Sequence, residues 1–269
     1  MKVSIVTISF NQAEFLQRAM RSVLTQDHPD VEYIIVDPGS TDGSRELIAA
    51  QGTRIKAILE KDNGPADGLN KGFAAATGDV FGYINADDAF LPGALRQAVD
   101  AFQRHPVADV VSGHSYLVDQ HGAILRRGYS DQFSLARRAH GAATLLQQST
   151  FFRRQAFLDA GGFNAENRTC WDGELMVDMA LAGMRFHVEN SFWAIFTLHP
   201  GGISGSGRLI ERYRRDEQRL FHKITGRDHR STDAVLDALY RGLRLTSHPA
   251  RSLLQFYRRI AGEHGRIEL

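Results

Sequence analysis

Cysteine is nearly missing: Cys170 stands alone among 269 residues, so no internal disulfide can form and no metal site can be built from cysteines. A reducing compartment is the expectation. Long apolar runs are missing too, and no stretch approaches the roughly 20 residues that a membrane-spanning helix needs. The opening "MKVSIVTISF" is short, is broken by serine and threonine, and leads at once into a helix-start signal; it is expected to be a first strand and not a signal peptide. Net charge is close to absent at +1, which gives no footing for nucleic-acid binding. Glycine fingerprints of nucleotide sites are absent as well: no G-x-G-x-x-G follows the first apolar run, and no G-x-x-x-x-G-K-[ST] occurs. Phosphate charge on a ligand would have to be met by other means.

What is present is ordinary globular composition, 43% hydrophobic and 23% charged, in a chain long enough for one large core and an appendage. The charge is unevenly placed. From Gly207 onward there are 14 Lys and Arg against 8 Asp and Glu, whereas residues 1–206 carry 18 against 23. The first part alternates strands with short helices. Residues 3–8 read as a strand, with Asn11 and Glu14 as a capped turn into an amphipathic helix carrying Phe15, Leu16, Ala19, Met20, Val23 and Leu24. Residues 33–37, 55–60 and 80–85 repeat the pattern, which predicts βαβ crossovers and a mainly parallel sheet. After a helix over 92–104, residues 109–127 predict a hairpin, 147–163 a short strand and helix, 172–183 a helix and 186–202 a return to strands. Mixed pairing is expected in that half, within one continuous sheet.

In such sheets ligands bind beyond the carboxyl ends of the strands. Asn11, Asp37, Asp42, Asp62, Asp67, Asp87 and Asp88 all fall at those ends. The densest point is "GYINADDAF", residues 82–90, where two adjacent carboxylates leave a buried strand although they repel each other and resist burial. A divalent cation that takes hard oxygen ligands from carboxylate and diphosphate together would reconcile them.

These segments carry a resemblance. "VSIVTISFNQ", "VDPGSTDGS", "EKDNGPADGLNKGFAAATGDVFGYINADD" and the aspartate pair in "NADD" follow one another as in the family 2 glycosyltransferases of GT-A fold, above all those of bacterial surface-polysaccharide synthesis. The resemblance covers most of residues 1–204. It implies a metal-dependent, inverting transfer of a sugar from a nucleoside diphosphate-sugar, with UDP the leading base, to a hydroxyl of a saccharide or lipid-linked saccharide, with Mn²⁺ or Mg²⁺ as cofactor. By position it implies Asp37 at the nucleotide base, and Ser9, Asn11, Asp62, Asn70 and Lys71 along the nucleotide pocket. Asp87 would face ribose and metal, Asp88 would be the direct metal ligand, and His199 of "TLHPGG" a closing residue or further ligand, the alternative being a hydrogen-bonded loop histidine.

The same resemblance makes Asp172 of "CWDGEL" the base that takes the acceptor proton, with Glu174 as a competitor because Trp171 replaces the usual preceding acid. Helix capping is the bland role for Asp172. Gln147, Gln148 and Ser149 border the implied acceptor site. Trp171 either stacks on an acceptor sugar or belongs to the core. Cys170 reads as a small buried residue, and Arg153 and Arg154 as a solvated pair. Residues 1–206 are expected to form the transferase domain, with 1–104 as the nucleotide half and 105–206 as the acceptor half. Residues 207–269 form a basic helical extension in which Leu253, Phe256, Tyr257 and Ile260 make one stripe. That extension packs on the core or on a second subunit, or else touches an anionic membrane surface. The expected location is cytoplasmic. Rival readings are an inactive sugar-nucleotide or glycan-binding module and a nucleotidyltransferase.

Overall fold

The computed structural model describes residues 1–202, 209–247 and 267. Strand β1 (Val3–Ile8) is a run of β-branched residues that pairs in parallel with β2 (Val31–Val36) on one side and β4 (Val80–Tyr83) on the other; β2 in turn pairs in parallel with β3 (Lys56–Ile58). Helices α1 (Ala13–Leu24), α2 (Ser44–Ala49) and α3 (Pro65–Ala74) make the crossovers. Side chains alternate across the sheet, so each strand feeds two cores. Val3, Ile5, Tyr33 and Ile35 point into one with Leu16, Met20 and Val23 of α1, while Val6, Ile34 and Val36 point into the other with Leu69 and Phe73 of α3.

Beyond β4 the sheet continues with mixed directions. The remaining elements are β5 (Ala89–Phe90), α4 (Ala94–Arg104), β6 (Val110–Asp119), β7 (Ile124–Gly128), α5 (Leu135–Ala139), β8 (Thr150–Arg153), α6 (Arg154–Asp159), α7 (Trp171–Leu181) and β9 (Phe186–Leu198). The strand order is β3-β2-β1-β4-β8-β6-β9-β5, with β7 on β6. β8 is antiparallel to both β4 and β6, whereas β9 runs parallel to β6 and antiparallel to β5. α4 covers the first core through Leu95, Val99 and Phe102, and α6 and α7 close the second through Phe157, Leu175 and Met179. The result is the GT-A architecture, a continuous α/β sheet with helices on both faces.

Four local expectations change. The first helix is not capped by Asn11: that residue is left-handed at φ 52°, and the first-turn amide of Ala13 donates instead to Asp42 of the neighbouring loop, 2.8 Å away. α4 starts only at Ala94, after a left-handed Gly93. Residues 186–198 form one 13-residue strand instead of several, because β6 pairs along almost all of it. Arg153 is not a solvated charge; it donates to the Ala108 and Pro106 carbonyls and its guanidinium lies 5.0 Å over the Phe102 ring.

The basic end of the chain contributes α8 (Ile210–Thr225) and α9 (Asp233–Ser247). α8 buries Leu220 and Phe221 and docks through ion pairs: Arg138 of α5 with Glu217, and Glu174 of α7 with Arg219. Part of the positive charge read from sequence is thus committed to core carboxylates. The stripe at 253–260 lies outside the described residues. Among the described residues no helix is long and apolar enough to cross a membrane.

Candidate active site

The four parallel strands end on one rim, and a cavity of about 840 Å³ lies over it. Ile8, Ser9 and Phe10 after β1, Pro38 after β2, Lys61, Asp62 and Gly64 after β3, and Asn85 and Asp87 after β4 line one part. Gln147, Gln148, Trp171, Asp172, Thr197 and His199 line the rest.

The two adjacent aspartates are resolved by pointing apart. Asp88 is fully buried and does not line the cavity; it accepts from the Thr197 amide at 2.9 Å and from the Gln148 side chain at 2.9 Å. Burial first, and the neighbouring Asp87 second, push its pKa well up. Asp87 turns into the cavity, where its carboxylate meets Nε2 of His199 at 3.0 Å. Arg18 of α1 sits against the pair, donating to the Asp87 carbonyl and to the Thr197 hydroxyl. Its own pKa is lowered by burial, against the pull of Asp88 and Asp87. Asp88, expected as the direct metal ligand, here holds the strand end of β9 and the 147–149 turn through its oxygens, and the cavity-facing carboxylate is Asp87.

Asp87 and His199 together fit a divalent cation. A hard carboxylate oxygen and an imidazole nitrogen 3.0 Å apart suit two adjacent positions of a coordination shell, with the rest open to a ligand's oxygens. Among the described residues the buried Oδ1 of Asn85 has no hydrogen-bond partner, and neither do Ser9 Oγ and Asp37 Oδ2. Three unpartnered polar atoms at the ends of β4, β1 and β2 mark that rim as built for a polar ligand.

Asp37 is otherwise tied to its own loop. Its Oδ1 accepts from the amides of Gly39 and Ser40 and from Arg45 Nε at 3.1 Å. Burial pushes its pKa up, but the donors on Ser40, Gly39 and Arg45 outweigh that and hold it below the usual carboxylate value. Asp62 lines the cavity and accepts from the Gly64 amide. Three expected donor contacts instead brace loops. Asn11 links the first two loops through Ser40 and Thr41, Asn70 makes a two-way bond with the Phe163 backbone, and Lys71 pairs with Asp67 at 3.2 Å.

Asp172 occupies the first turn of α7 and lines both the main cavity and an adjoining one of about 380 Å³, whose wall includes Arg138, Met176, Tyr213 and Glu217. Burial raises its pKa, with the Gly173 amide and Arg138 opposing. Glu174 cannot share its role. It is fully buried, bound by both terminal nitrogens of Arg219 and by Asn164, Asn167 and Lys223, and these donors overcome burial to hold its pKa at about 2. A carboxylate so engaged has no lone pair free for an acceptor proton. Trp171 is largely buried in the second core while its edge meets the cavity, and Gln148 is committed to Asp88. Cys170 is buried, with its thiol pushed up to about 12 by that burial.

Arg18, Asn85 and Thr197 were not singled out in the sequence. Two adjacent carboxylates demanded a buried cation, and that was the one available signal for Arg18.

The sequence profile described as glycosyl transferase family 2 matches residues 4–161. An uncharacterized glycosyltransferase of Nostoc is 39% identical over 130 residues, 45% of this chain and 40% of that protein. An uncharacterized glycosyltransferase of Mycobacterium tuberculosis is 30% identical over 247 residues, 84% of this chain and 91% of its own. The succinoglycan biosynthesis protein ExoU of Rhizobium meliloti is 27% identical over 229 residues, 78% of this chain and 66% of its own. In fold, the chain is similar to Staphylococcus aureus TarS 1-349 in complex with UDP-GlcNAc, with a TM-score of 0.70 at 18% identity over 94% of this chain and 74% of that one. It is also similar to the mannosyltransferase PcManGT of Pyrobaculum calidifontis in complex with GDP-Man and Mn²⁺, with a TM-score of 0.61 at 16% identity over 97% and 81%. With more than half its length under the family profile and its strands in GT-A order, the chain belongs to glycosyl transferase family 2.

Proposed function

We propose that the protein is a metal-assisted, inverting hexosyltransferase that moves a sugar from a nucleoside diphosphate-sugar to a saccharide hydroxyl in surface-polysaccharide synthesis. The observation that carries the reading is one cavity, over the ends of the parallel strands, that holds Asp87, His199 and Asp172 together. UDP is the leading donor nucleotide, supported by the nucleotide-sugar held by TarS; the Mn²⁺ of PcManGT supports the cation, and the name of ExoU the polysaccharide. All three are properties of those proteins.

The nucleotide base lies toward Asp37 and Ser9, whose free acceptor atoms suit its N–H groups and the ribose hydroxyls. Asp87 and His199 would hold the cation, which when bound would supply positive charge against the leaving diphosphate. Asp172 takes the proton from the acceptor hydroxyl, and its raised pKa makes it a better base than an ordinary aspartate. The acceptor reaches it through the adjoining cavity, which places α8, from the basic extension, in the acceptor wall. Single displacement on the face opposite the diphosphate inverts the anomeric centre. In this assignment residues 1–104 bind donor and 105–206 bind acceptor, completed by residues from 207 onward.

The test is calorimetric binding of UDP, GDP and dTDP with and without Mn²⁺, followed by turnover with the corresponding sugars and a saccharide acceptor. Metal-dependent binding of one nucleotide and transfer with an inverted product are the expected results. Absence of nucleotide binding under every condition would sink the reading.

A further inference from the structure

The end of α4 and the start of β9 bring together three side chains that the transferase reading does not use. His187, Glu189, Ser191 and Trp193 of β9 all meet α4 or the residue that closes it. Gln97 of α4 serves Ser191 and Trp193, while His105, the residue that closes α4, meets His187 and Glu189. Oε1 of Glu189 lies 3.3 Å from Nε2 of His187 and 3.6 Å from Nε2 of His105. One ligand atom from each of the three lies within 4.8 Å of the others. Ligands at roughly 2.0–2.1 Å from a tetrahedral zinc ion stand about 3.3 Å from one another, so the two edges that meet at Glu189 Oε1 are already near that length.

We propose that His105, His187 and Glu189 form a zinc-binding site that fastens the end of α4 to the start of β9, with water as the fourth ligand.

The chemistry selects the ion. Two imidazoles and one carboxylate suit zinc, whereas magnesium and manganese prefer oxygen shells. The two rings stack with centroids 3.6 Å apart and an interplanar angle of 25°, so one ring turns about its side-chain bonds for both nitrogens to aim at one ion. The ligands are held in place without the ion. His187 is in register with Val111 of β6, and the His105 backbone is fixed by bonds to the Ala101 carbonyl and from the Ala108 amide. Arg104 donates to Glu189 Oε1 at 2.7 Å from a largely exposed side chain, and a zinc ion would displace this exposed pair from that oxygen. The site is separate from Asp87 and His199: His187 is the second residue of β9 and His199 follows its last, and a strand of that length spans up to about 40 Å.

Full-length protein stripped with chelator is loaded with Zn²⁺, desalted, and its zinc content measured for wild type, H105A, H187A, E189Q and D87A, with Tm followed in parallel. Wild type and D87A should retain a zinc equivalent that H105A, H187A and E189Q lose. A hundredfold excess of zinc over its dissociation constant should raise the wild-type Tm by about 5 °C or more, and that rise should vanish in H105A. Equal zinc content and an equal Tm response in wild type and H105A would overturn the proposal. H105A decides the matter even if H187A does not fold, because His105 sits half-exposed at a helix end.

Discussion

Asp88 and Asp87 are neighbours with opposite expected phenotypes, and exchanging each for alanine separates anchoring from cation binding. Asp88→Ala removes the acceptor for the Thr197 amide and for the Gln148 side chain, both buried. Each buried donor left unsatisfied costs about 1–3 kcal/mol, so the variant should lose about 2–6 kcal/mol. Arg18, held between burial and the two aspartates, loses part of its compensation in addition. For a chain of this size a loss of 1 kcal/mol lowers Tm by about 2–4 °C, so a fall of about 4–24 °C is expected. Asp87→Ala removes a side chain at the cavity wall whose described side-chain partner is His199, and its Tm should change by no more than about 2 °C. It should abolish the Mn²⁺ dependence of nucleotide binding. Thermal denaturation and calorimetric titration of nucleotide with Mn²⁺ read the two effects. An Asp88→Ala protein with wild-type Tm but no metal-dependent binding, beside an Asp87→Ala protein that keeps such binding, would refute the assignment of roles.

Three further outcomes follow from the same structure. Asp172→Asn should retain nucleotide binding and lower turnover by about 10²–10⁴-fold; in wild type the rate should fall as pH drops through the raised pKa of Asp172, and an Asn variant that keeps this acidic limb would remove Asp172 from the base role. Glu174 is held at about 2, below its unfolded value, so its stabilisation is present above about pH 4.5 and is lost as pH falls toward 2. Glu174→Gln should cost about 3 kcal/mol at neutral pH and flatten the acid side of a urea-denaturation profile; an unchanged profile would contradict the buried ion cluster. Gly72 lets α3 approach the sheet so closely that an added Cβ would lie 2.4 Å from Val6, and Gly72→Ala should cost about 1–3 kcal/mol by chemical denaturation.

The parallel half of the fold was legible because β1 and β2 are largely buried runs rich in β-branched residues and α1 carries one apolar stripe. The pairing of the second half was not, since nothing local reveals that residues 186–198 stay extended for 13 residues; β6 imposes that from across the sheet. "NADD" follows β4 as a turn closed by the Asp88 amide on the Asn85 carbonyl, and that turn, not strand alternation, puts one carboxylate in the cavity and one in the core. The turn brings the Thr197 amide and Gln148 to Asp88, contacts 109 and 60 residues distant in sequence, which no local pattern encodes. Glu174 fails as a base for the same kind of reason. Its spacing from Asp172 places both near the start of one helix, yet Arg219 arrives from a segment 45 residues on and converts a free carboxylate into a structural anchor. Chemistry-bearing residue types are thus visible in sequence, while the division between those that face a ligand and those that hold the ligand's walls is set by long-range partners.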